Sequence, residues 1–259
     1  MDMLLPPPIA LQVTGFTWEK DEMGLSGNAV YLLTKGQTTC YLKTAMPEQA
    51  AQLESEAARM RWLGAYLPVP EVIDFAINEQ GAYLLMHAVP GKIACDAAFQ
   101  DRISHVVKAL AAGLRQFHAV PIQDCPFDQR REVQIAEARQ RMVKQLIDMD
   151  DFEPQWQGRS ASALYDELLR NRPAGEDLVL THGDFCLPNM LIDPATMQVS
   201  GFVDLGRAGI SDRYTDLALT ARSLAMNWGK PYVPLLFDAY GIKPDAAKLH
   251  FYTLLDEFF

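Results

Sequence analysis

The chain has 259 residues, long enough to bury a large core as one domain or as two lobes. Hydrophobic residues make up 49% of it and charged residues 22%, which is the composition of an ordinary globular protein. The net charge of −10 argues against a nucleic-acid or anionic-membrane partner, and it suits a cationic small molecule.

Cysteine usage and the N-terminus indicate the compartment. The four cysteines lie far apart and form no C-x-x-C pair, so we expect free thiols rather than disulfides or a zinc site. The first apolar run is broken by prolines and has no basic segment, unlike a signal peptide. No apolar run reaches membrane-spanning length. We therefore expect a cytoplasmic protein.

The first third of the chain has the pattern of a β-sheet. The strand-like runs 30–33 and 40–42 flank Gly36, which predicts a hairpin. The segment 24–28, G-L-S-G-N, precedes them. Its backbone N–H groups could approach phosphates, but a plain hairpin loop is about as good an interpretation.

Lys43 ends a strongly apolar strand, where a lysine is costly unless it is paired. Residues 47–64 then predict a helix, with proline near its start and glycine at its end. A strand lysine paired with a helix glutamate is how a kinase presents an ammonium group to the α- and β-phosphates. We expect Glu56 to face Lys43, whereas Glu54 also suits a solvated helix surface.

Two further strands are predicted at 69–73 and 83–86, and Pro90-Gly91 indicates a linker after them. The remainder predicts helices at 103–118, 130–147, 162–170, 217–228 and from 243 to the end. A small β-rich lobe, a hinge and a helical lobe are therefore expected, with a nucleotide cleft where the lobes meet.

Three polar features of the helical part call for an interpretation. Residues 148–153 hold four acids, which suit either a solvated loop or an acidic lip that collects a polycation. Asp216 precedes an apolar run, and we expect it to support a nearby loop through hydrogen bonds rather than to react. His118, at the end of its helix, is expected to be structural.

The stretch 181–206 carries the chemistry. Asp184, Asn189 and Asp204 stand between short apolar runs that read as buried strands joined by tight loops. The order H-G-D-x-x-x-x-N and then D-L-G follows the protein-kinase template H-R-D-x-x-x-x-N and D-F-G. There one carboxylate accepts a proton from the attacking hydroxyl, while an amide oxygen and a second carboxylate hold Mg²⁺. Either motif alone could be a turn; both together predict phosphoryl transfer.

The whole chain resembles the aminoglycoside 3′-phosphotransferases, antibiotic-resistance kinases with a protein-kinase-like fold. The most specific pieces are T-H-G-D-F-C-L-P-N, F-V-D-L-G-R-A-G-I-S-D-R-Y-T-D and the terminal L-D-E-F-F. The first two occur more loosely in choline, homoserine, methylthioribose and macrolide kinases, whereas the tail points to the 3′ class. The resemblance implies an α+β fold with a small antiparallel sheet and one helix in residues 1–87, a hinge at 88–92 and a larger, mostly helical lobe in 93–259.

The resemblance also implies roles for single residues. Asp184 corresponds to the catalytic base, and Asn189 and Asp204 to the Mg²⁺ ligands. The residues implied to bind ATP are Ser26, Tyr41, Lys43, Glu56, Met86, His87 and Ala88. Those implied to bind the aminoglycoside are Glu153, Asp184, Arg207, Asp256, Glu257 and Phe259 with its terminal carboxylate. Pro154, Gln155 and Trp156 depart from the pattern, since relatives carry more acids there.

The expected activity is Mg·ATP-dependent phosphorylation of the 3′-hydroxyl of kanamycin- or neomycin-type antibiotics by a monomer or weak dimer. The alternative is a kinase of the same fold that acts on another small-molecule hydroxyl, such as choline, homoserine or a macrolide. A non-catalytic binding module is disfavoured, because Lys43, Asp184, Asn189 and Asp204 are all present.

Overall fold

The computed structural model describes residues 5–21 and 29–259. The chain divides into two compact units. The first comprises Met1–Gly91 and Ser200–Gly206, and the second comprises Lys92–Val199 and Arg207–Phe259. Ser26 and the glycine-containing segment 24–28 lie outside the described residues.

The first unit is built on a five-stranded antiparallel sheet with the order β1-β2-β3-β5-β4. Its strands are β1 (Thr17–Asp21), β2 (Ala29–Lys35), β3 (Thr38–Ala45), β4 (Val72–Asn78) and β5 (Gly81–His87). The predicted hairpin at Gly36 is confirmed, and this glycine has the positive φ of 60° that such a turn requires. The strand expected at 69–73 begins only at Val72, because Pro70 has no N–H to donate to the sheet.

Two α-helices pack in the described part of this unit. Helix α1 (Pro7–Gln12) was not predicted, and its buried Ile9 joins a core cluster with Leu33 and Leu42 of the sheet. Helix α2 (Ala50–Leu63) follows a short 3₁₀ turn, confirms the helix expected at 47–64, and ends at Gly64. The sequence therefore predicted α2 but not α1.

The second unit is mostly helical, which confirms the α+β division expected from the sequence. Its helices are α3 (Ile103–His118), α4 (Arg131–Val143), α5 (Ala161–Arg170), α6 (Tyr214–Asn227), α7 (Val233–Tyr240) and α8 (Ala246–Asp256). Its short strands are β6 (Lys92–Ile93), β7 (Leu178–Thr181), β8 (Met190–Ile192) and β10 (Gly209–Asp212), while β9 (Val199–Phe202) leads the chain back into the first unit. Strand β10 pairs antiparallel with β7, and β6 pairs antiparallel with β8.

Helix α6 begins at Tyr214, earlier than the predicted 217, and this shift places Asp216 in its first turn. There the carboxylate lies at the positive end of the helix dipole. Helix α7 was missed because Pro234 and the run of apolar residues hide its period. Among residues 5–21 and 29–259, no helix has the combined length and hydrophobicity that crossing a bilayer needs.

Candidate active site

A buried ion pair joins the sheet of the first unit to helix α2. Lys43 Nζ lies 2.8 Å from Glu56 Oε2 and 3.1 Å from Oε1, and the two residues are 7% and 5% exposed. Glu54 is exposed to solvent. The structure therefore has the pairing expected from the sequence, with Glu56 rather than Glu54 facing the lysine.

Asp204 completes this cluster from the segment that returns to the first unit. Its Oδ1 accepts a hydrogen bond from Lys43 Nζ at 3.3 Å, and its side chain is 47% exposed. Burial by itself lowers the pKa of Lys43, but the carboxylates of Glu56 and Asp204 outweigh burial and raise it. The ammonium group is therefore charged at neutral pH.

The backbone of Asp204 is strained. Its φ is +59°, in the left-handed region that a residue other than glycine rarely occupies. Such conformations cost on the order of 1–3 kcal/mol and persist where the surrounding structure holds them, often at functional sites. Its second carboxylate oxygen, Oδ2, has no hydrogen-bond partner within the described parts of the chain.

The residues expected to bind adenine lie along a groove of about 740 Å³ on the first unit. Tyr41, His87 and Ala88 line this groove, whereas Met86 is a buried residue of β5 paired with Tyr41. The N–H groups of His87 and Ala88 already donate to the carbonyls of Glu71 and Thr39. An adenine base in the groove would either compete for these two N–H groups or bind the carbonyl oxygens of His87 and Ala88.

In the second unit, Asp184 and Asn189 are joined directly. Asn189 Nδ2 donates to Asp184 Oδ2 at 2.9 Å and to the Asp184 carbonyl at 3.0 Å. The amide group is thereby oriented, and its Oδ1 accepts no hydrogen bond from the residues that the structure describes. Its oxygen is left available to a cation, and the five-residue spacing is what permits this closed loop.

Asp216 holds the backbone that leads into Asp184. This carboxylate is fully buried, and it accepts the N–H of His182 on Oδ2 at 2.8 Å and that of Gly183 on Oδ1 at 2.9 Å. The expected supporting role of Asp216 is thus confirmed by its hydrogen bonds.

The same face of α6 holds the rest of the loop. The Thr220 hydroxyl lies 2.9 Å from the carbonyl of Phe185 and 2.7 Å from that of Asp216, so the two carbonyls share its proton, and Ser223 Oγ accepts the N–H of Leu187 at 3.0 Å. These side chains follow Asp216 at i+4 and i+7, so they share its helix face. The sequence reasoning missed both of them, although their spacing from Asp216 was a usable signal.

The loop requires glycine at position 183, and this requirement can be tested. Its φ is +83°, and a Cβ added there would lie 2.2 Å from the Arg207 carbonyl oxygen. We expect Gly183→Ala to cost about 3 kcal/mol or more of unfolding free energy, since both the backbone angle and the close approach oppose a side chain. The measurement is chemical denaturation of the purified variant.

Gly241→Ala is the matched control for that experiment. Gly241 also has a positive φ, +90°, but a Cβ there meets nothing within 4 Å. It should lose only the conformational term, about 1 kcal/mol. Equal losses in the two variants would contradict the packing of Gly183 against Arg207.

The C-terminal turn is anchored by two arginines. Arg207 Nη1 donates to Asp256 Oδ1 at 2.7 Å, and Arg222 Nη2 donates to Asp256 Oδ2. Burial alone would raise the pKa of Asp256, but the two guanidinium groups outweigh burial and lower it. Both carboxylate oxygens are therefore engaged within the protein. The Arg207 guanidinium also lies 4.6 Å from the centre of the Phe259 ring.

The tail is packed against the predicted acidic lip and is not frayed. Glu257 Oε2 accepts the backbone N–H of Glu153 at 3.0 Å, and Arg222 Nη1 lies 3.3 Å from Glu153 Oε1 and 3.5 Å from Glu257 Oε1. Arg141 donates to the Phe259 carbonyl at 3.0 Å. The sequence reasoning missed Arg141 and Arg222, because nothing local distinguishes them from solvated arginines.

The lip itself is partly covered. Asp148, Asp150 and Asp151 are exposed, whereas Trp156 is only 2% exposed and packs inward. Trp156, one of the departures from the expected acidic pattern, is thus part of the core beneath the lip. Pro154 and Gln155 stay exposed beside it.

Glu257 gives this cluster a pH dependence. Burial raises its pKa to about 7, and the nearby charge of Glu153 adds to the rise, while the Glu153 N–H and Arg222 oppose it. An acid with a raised pKa binds more protons when folded, so its stabilising contribution is full below its unfolded pKa of 4.5 and is lost as pH rises through about 7.

We therefore expect the melting temperature to fall between about pH 5 and pH 8 by more in the wild type than in Glu257→Gln. Asp96→Asn serves as the control, because hydrogen bonds from the Ala98 N–H and from Lys92 lower the pKa of Asp96 and neither partner changes charge in this range. Parallel melting curves for the wild type and Glu257→Gln would show that Glu257 does not titrate in this range.

A sheet with a buried Lys–Glu pair, and a helical unit that holds an Asp–Asn loop, define a phosphotransferase with the protein-kinase-like fold. Comparison with known proteins gives the same result. The model of the phosphotransferase enzyme family (APH) matches residues 17–252. An aminoglycoside 3′-phosphotransferase of Streptomyces fradiae is 40% identical in an alignment 254 residues long that covers 93% of this chain and 95% of that protein.

Solved structures agree. The crystal structure of an aminoglycoside 3′-phosphotransferase of type VIII superposes with a TM-score of 0.89 at 36% identity, covering 97% of this chain and 98% of the other. The phosphotransferase APH(3″)-Id of Streptomyces rimosus, in complex with ADP and streptomycin, gives 0.80 at 30% identity and covers 93% and 92%. The chain belongs to the phosphotransferase enzyme family, among relatives that are aminoglycoside 3′-phosphotransferases.

Proposed function

We propose that this protein transfers the γ-phosphoryl group of ATP to the 3′-hydroxyl of kanamycin- or neomycin-type aminoglycosides, and so confers resistance to them. One observation carries the proposal. The Asp184 loop and the carboxylate cluster of the C-terminal turn meet at Arg207, whose carbonyl abuts Gly183 and whose side chain binds Asp256. A proton acceptor is thereby tied to the turn that carries Asp256 and Glu257, and acidic side chains suit the binding of an amino sugar.

Asp184 is proposed to accept or orient the proton of the attacking hydroxyl. Its Oδ2 is held by Asn189, and its backbone is held by Asp216 through the preceding residues. Since the transition state of phosphoryl transfer is loose, catalysis rests mainly on positioning and charge neutralisation. A loop fixed at so many points supplies the positioning.

Lys43 is proposed to bind the α- and β-phosphates, with Glu56 holding its ammonium group in place. Tyr41 and the backbone of residues 86–88 are proposed to contact adenine in the groove of the first unit, and Ser26 to cover the phosphates. The support for the first of these roles is the burial and charge of the ion pair. The ADP complex of the Streptomyces rimosus relative supports the choice of nucleotide.

Asn189 and Asp204 are proposed to hold Mg²⁺. Their chemistry fits, because Asn189 Oδ1 and Asp204 Oδ2 are oxygen atoms without hydrogen-bond partners among the described residues. No three His, Cys, Asp or Glu residues in the described ranges cluster as an all-protein metal site. That suits Mg²⁺, which takes few protein ligands and otherwise binds phosphates and water, and which neutralises phosphate charge when bound.

Glu153, Glu257 and Phe259 are proposed to line the site that receives the ammonium groups of the antibiotic. Arg207 and Asp256 act differently in this proposal. Both oxygens of Asp256 bind arginines, so Asp256 orients Arg207 and the turn. Asp256 then acts on the substrate through these groups rather than by touching it.

The test is a substrate panel. ADP release is followed with kanamycin, neomycin, streptomycin, choline, homoserine and a macrolide, each at several concentrations. The proposal expects kcat/KM for kanamycin or neomycin to exceed that for every other compound by at least about a hundredfold. A preference for choline, homoserine or a macrolide would favour the alternative small-molecule kinase. A preference for streptomycin would indicate that the enzyme phosphorylates a hydroxyl other than the 3′-hydroxyl.

A further inference from the structure

A buried chain of side chains reaches Asp216 from the side away from the Asp184 loop. His118, the last residue of α3, places Nε2 3.0 Å from Asp216 Oδ2 and Nδ1 2.8 Å from the hydroxyl of Tyr240, the last residue of α7. The side chains of His118 and Asp216 are 4% and 0% exposed. Water is thus excluded from both hydrogen bonds of the imidazole.

The direction of these hydrogen bonds follows from the groups themselves. A carboxylate only accepts, so His118 Nε2–H donates to Asp216. Nδ1 shares a hydrogen bond with the Tyr240 hydroxyl, accepting it when the ring carries one proton and donating to it when the ring carries two, and the Tyr240 oxygen accepts Arg213 Nη1–H at 3.0 Å. Both ring nitrogens of His118 and the hydroxyl of Tyr240 are thus engaged, which restricts the orientation of both side chains.

The outer end of the chain is also fixed. Arg213 Nη2 donates to Asp177 Oδ1 at 3.0 Å, and Arg213 Nε lies 2.5 Å from Asp177 Oδ2 without the angle of a hydrogen bond. The rings of His118 and Tyr240 pack edge to face with their centres 5.7 Å apart. These contacts leave Arg213, Tyr240 and His118 few alternative positions. They thereby restrict the orientation of the Asp216 carboxylate as well.

Asp216 needs this partner. Its two oxygens accept the N–H groups of His182 and Gly183, but those groups belong to the loop that has to be positioned. Among the hydrogen bonds to its carboxylate, the one from His118 comes from a rigid helix end outside that loop. A carboxylate held only by the loop would follow the motions of the loop.

We propose that His118 and Tyr240 are positioning residues of the phosphoryl-transfer reaction. They orient the Asp216 carboxylate, which fixes the backbone of residues 182–183 and hence the position of Asp184. The effect on turnover rests on the function proposed above. The effect on the loop does not, and the two can be measured separately.

The experiment uses four variants of the full chain. Tyr240→Phe removes one hydroxyl, His118→Leu removes both hydrogen bonds, and His118→Gln keeps an N–H donor that can reach Asp216. Tyr252→Phe is the matched control. Tyr252 is also buried, at 2% exposed, but its hydroxyl has no hydrogen-bond partner in the described structure.

Two readouts are taken for each variant: amide hydrogen exchange of residues 182–183, and kcat and KM for both substrates. We expect exchange in His118→Leu to be at least about tenfold faster than in the wild type and kcat to fall about 10- to 100-fold, with both KM values within about threefold. Tyr240→Phe should show a smaller change of the same kind. His118→Gln should recover most of kcat, and Tyr252→Phe should match the wild type.

Unchanged exchange at 182–183 in folded His118→Leu and Tyr240→Phe would overturn the proposal. So would equal effects of Tyr240→Phe and Tyr252→Phe, or a loss that appears in KM alone. If His118→Leu does not fold, Tyr240→Phe and His118→Gln decide, since each retains the packed volume. A wild-type protein without kinase activity would refute the proposed function, while the exchange measurement would still test the positioning of the loop.

Discussion

Asp184→Asn is expected to lower kcat by about a thousandfold or more, with little change in the dissociation constant of ATP. The asparagine amide is nearly isosteric and can accept no proton. Asn189 Nδ2 donates to Oδ2 of the native carboxylate, and an amide oxygen in that position would still accept this bond. The geometry of the Asp184 loop should therefore be unchanged, so the loss of kcat measures the contribution of the missing base. The measurement is steady-state kinetics together with calorimetric titration of ATP.

Asp193→Asn is the control for that variant. Asp193 lies in the same unit, and its carboxylate caps a turn by accepting the N–H of Ala195. Asparagine can accept the same bond, so kcat should stay within about twofold of the wild type. Near-normal turnover in Asp184→Asn would remove Asp184 from the role of base.

Lys43→Met should have the second-largest effect, on both nucleotide use and stability. Removing the ammonium group takes a positive charge from the phosphates and leaves the Glu56 carboxylate buried, with its side chain only 7% exposed. Breaking a buried pair in this way costs about 3–5 kcal/mol. We expect kcat/KM for ATP to fall about a hundredfold or more. Denaturation curves and initial-rate kinetics measure the two effects.

Two further variants separate the loss of activity from the loss of stability. Lys43→Met/Glu56→Gln removes the uncompensated charge, so it should regain stability without regaining activity. Lys35→Met is the surface control, because Lys35 is exposed, donates to the Thr14 carbonyl and lies 5.6 Å from the centre of the Phe16 ring, so its removal leaves no carboxylate buried. A KM for ATP close to that of the wild type in Lys43→Met would contradict a phosphate-binding role.

The local parts of the candidate site could be predicted from sequence. A lysine inside an apolar strand must find a buried partner, and helical periodicity puts Glu56 and not Glu54 on the buried face of α2. The spacing between Asp184 and Asn189 likewise dictates a closed loop. In each case the constraint acts over one element or one turn, so the pattern of residues contains it.

Contacts that depend on packing could not be predicted. Arg222 looks like any helix arginine in the sequence, yet it lies against three carboxylates that come from the lip and the tail. The strained backbone of Asp204 and the neighbours of His118 are likewise set by distant segments. Short α1, with proline at its start, lacked enough turns to show a period.

The most direct test of the account is the position of transfer. Purified enzyme, Mg·ATP and kanamycin are compared with the same reaction on a kanamycin analogue that lacks only the 3′-hydroxyl, and the products are examined by phosphorus and proton NMR. The account predicts a single phosphate ester at the 3′-oxygen of kanamycin and no transfer to the analogue, although the analogue still binds as a competitive inhibitor. Phosphorylation of the analogue at a rate near that of kanamycin would contradict it.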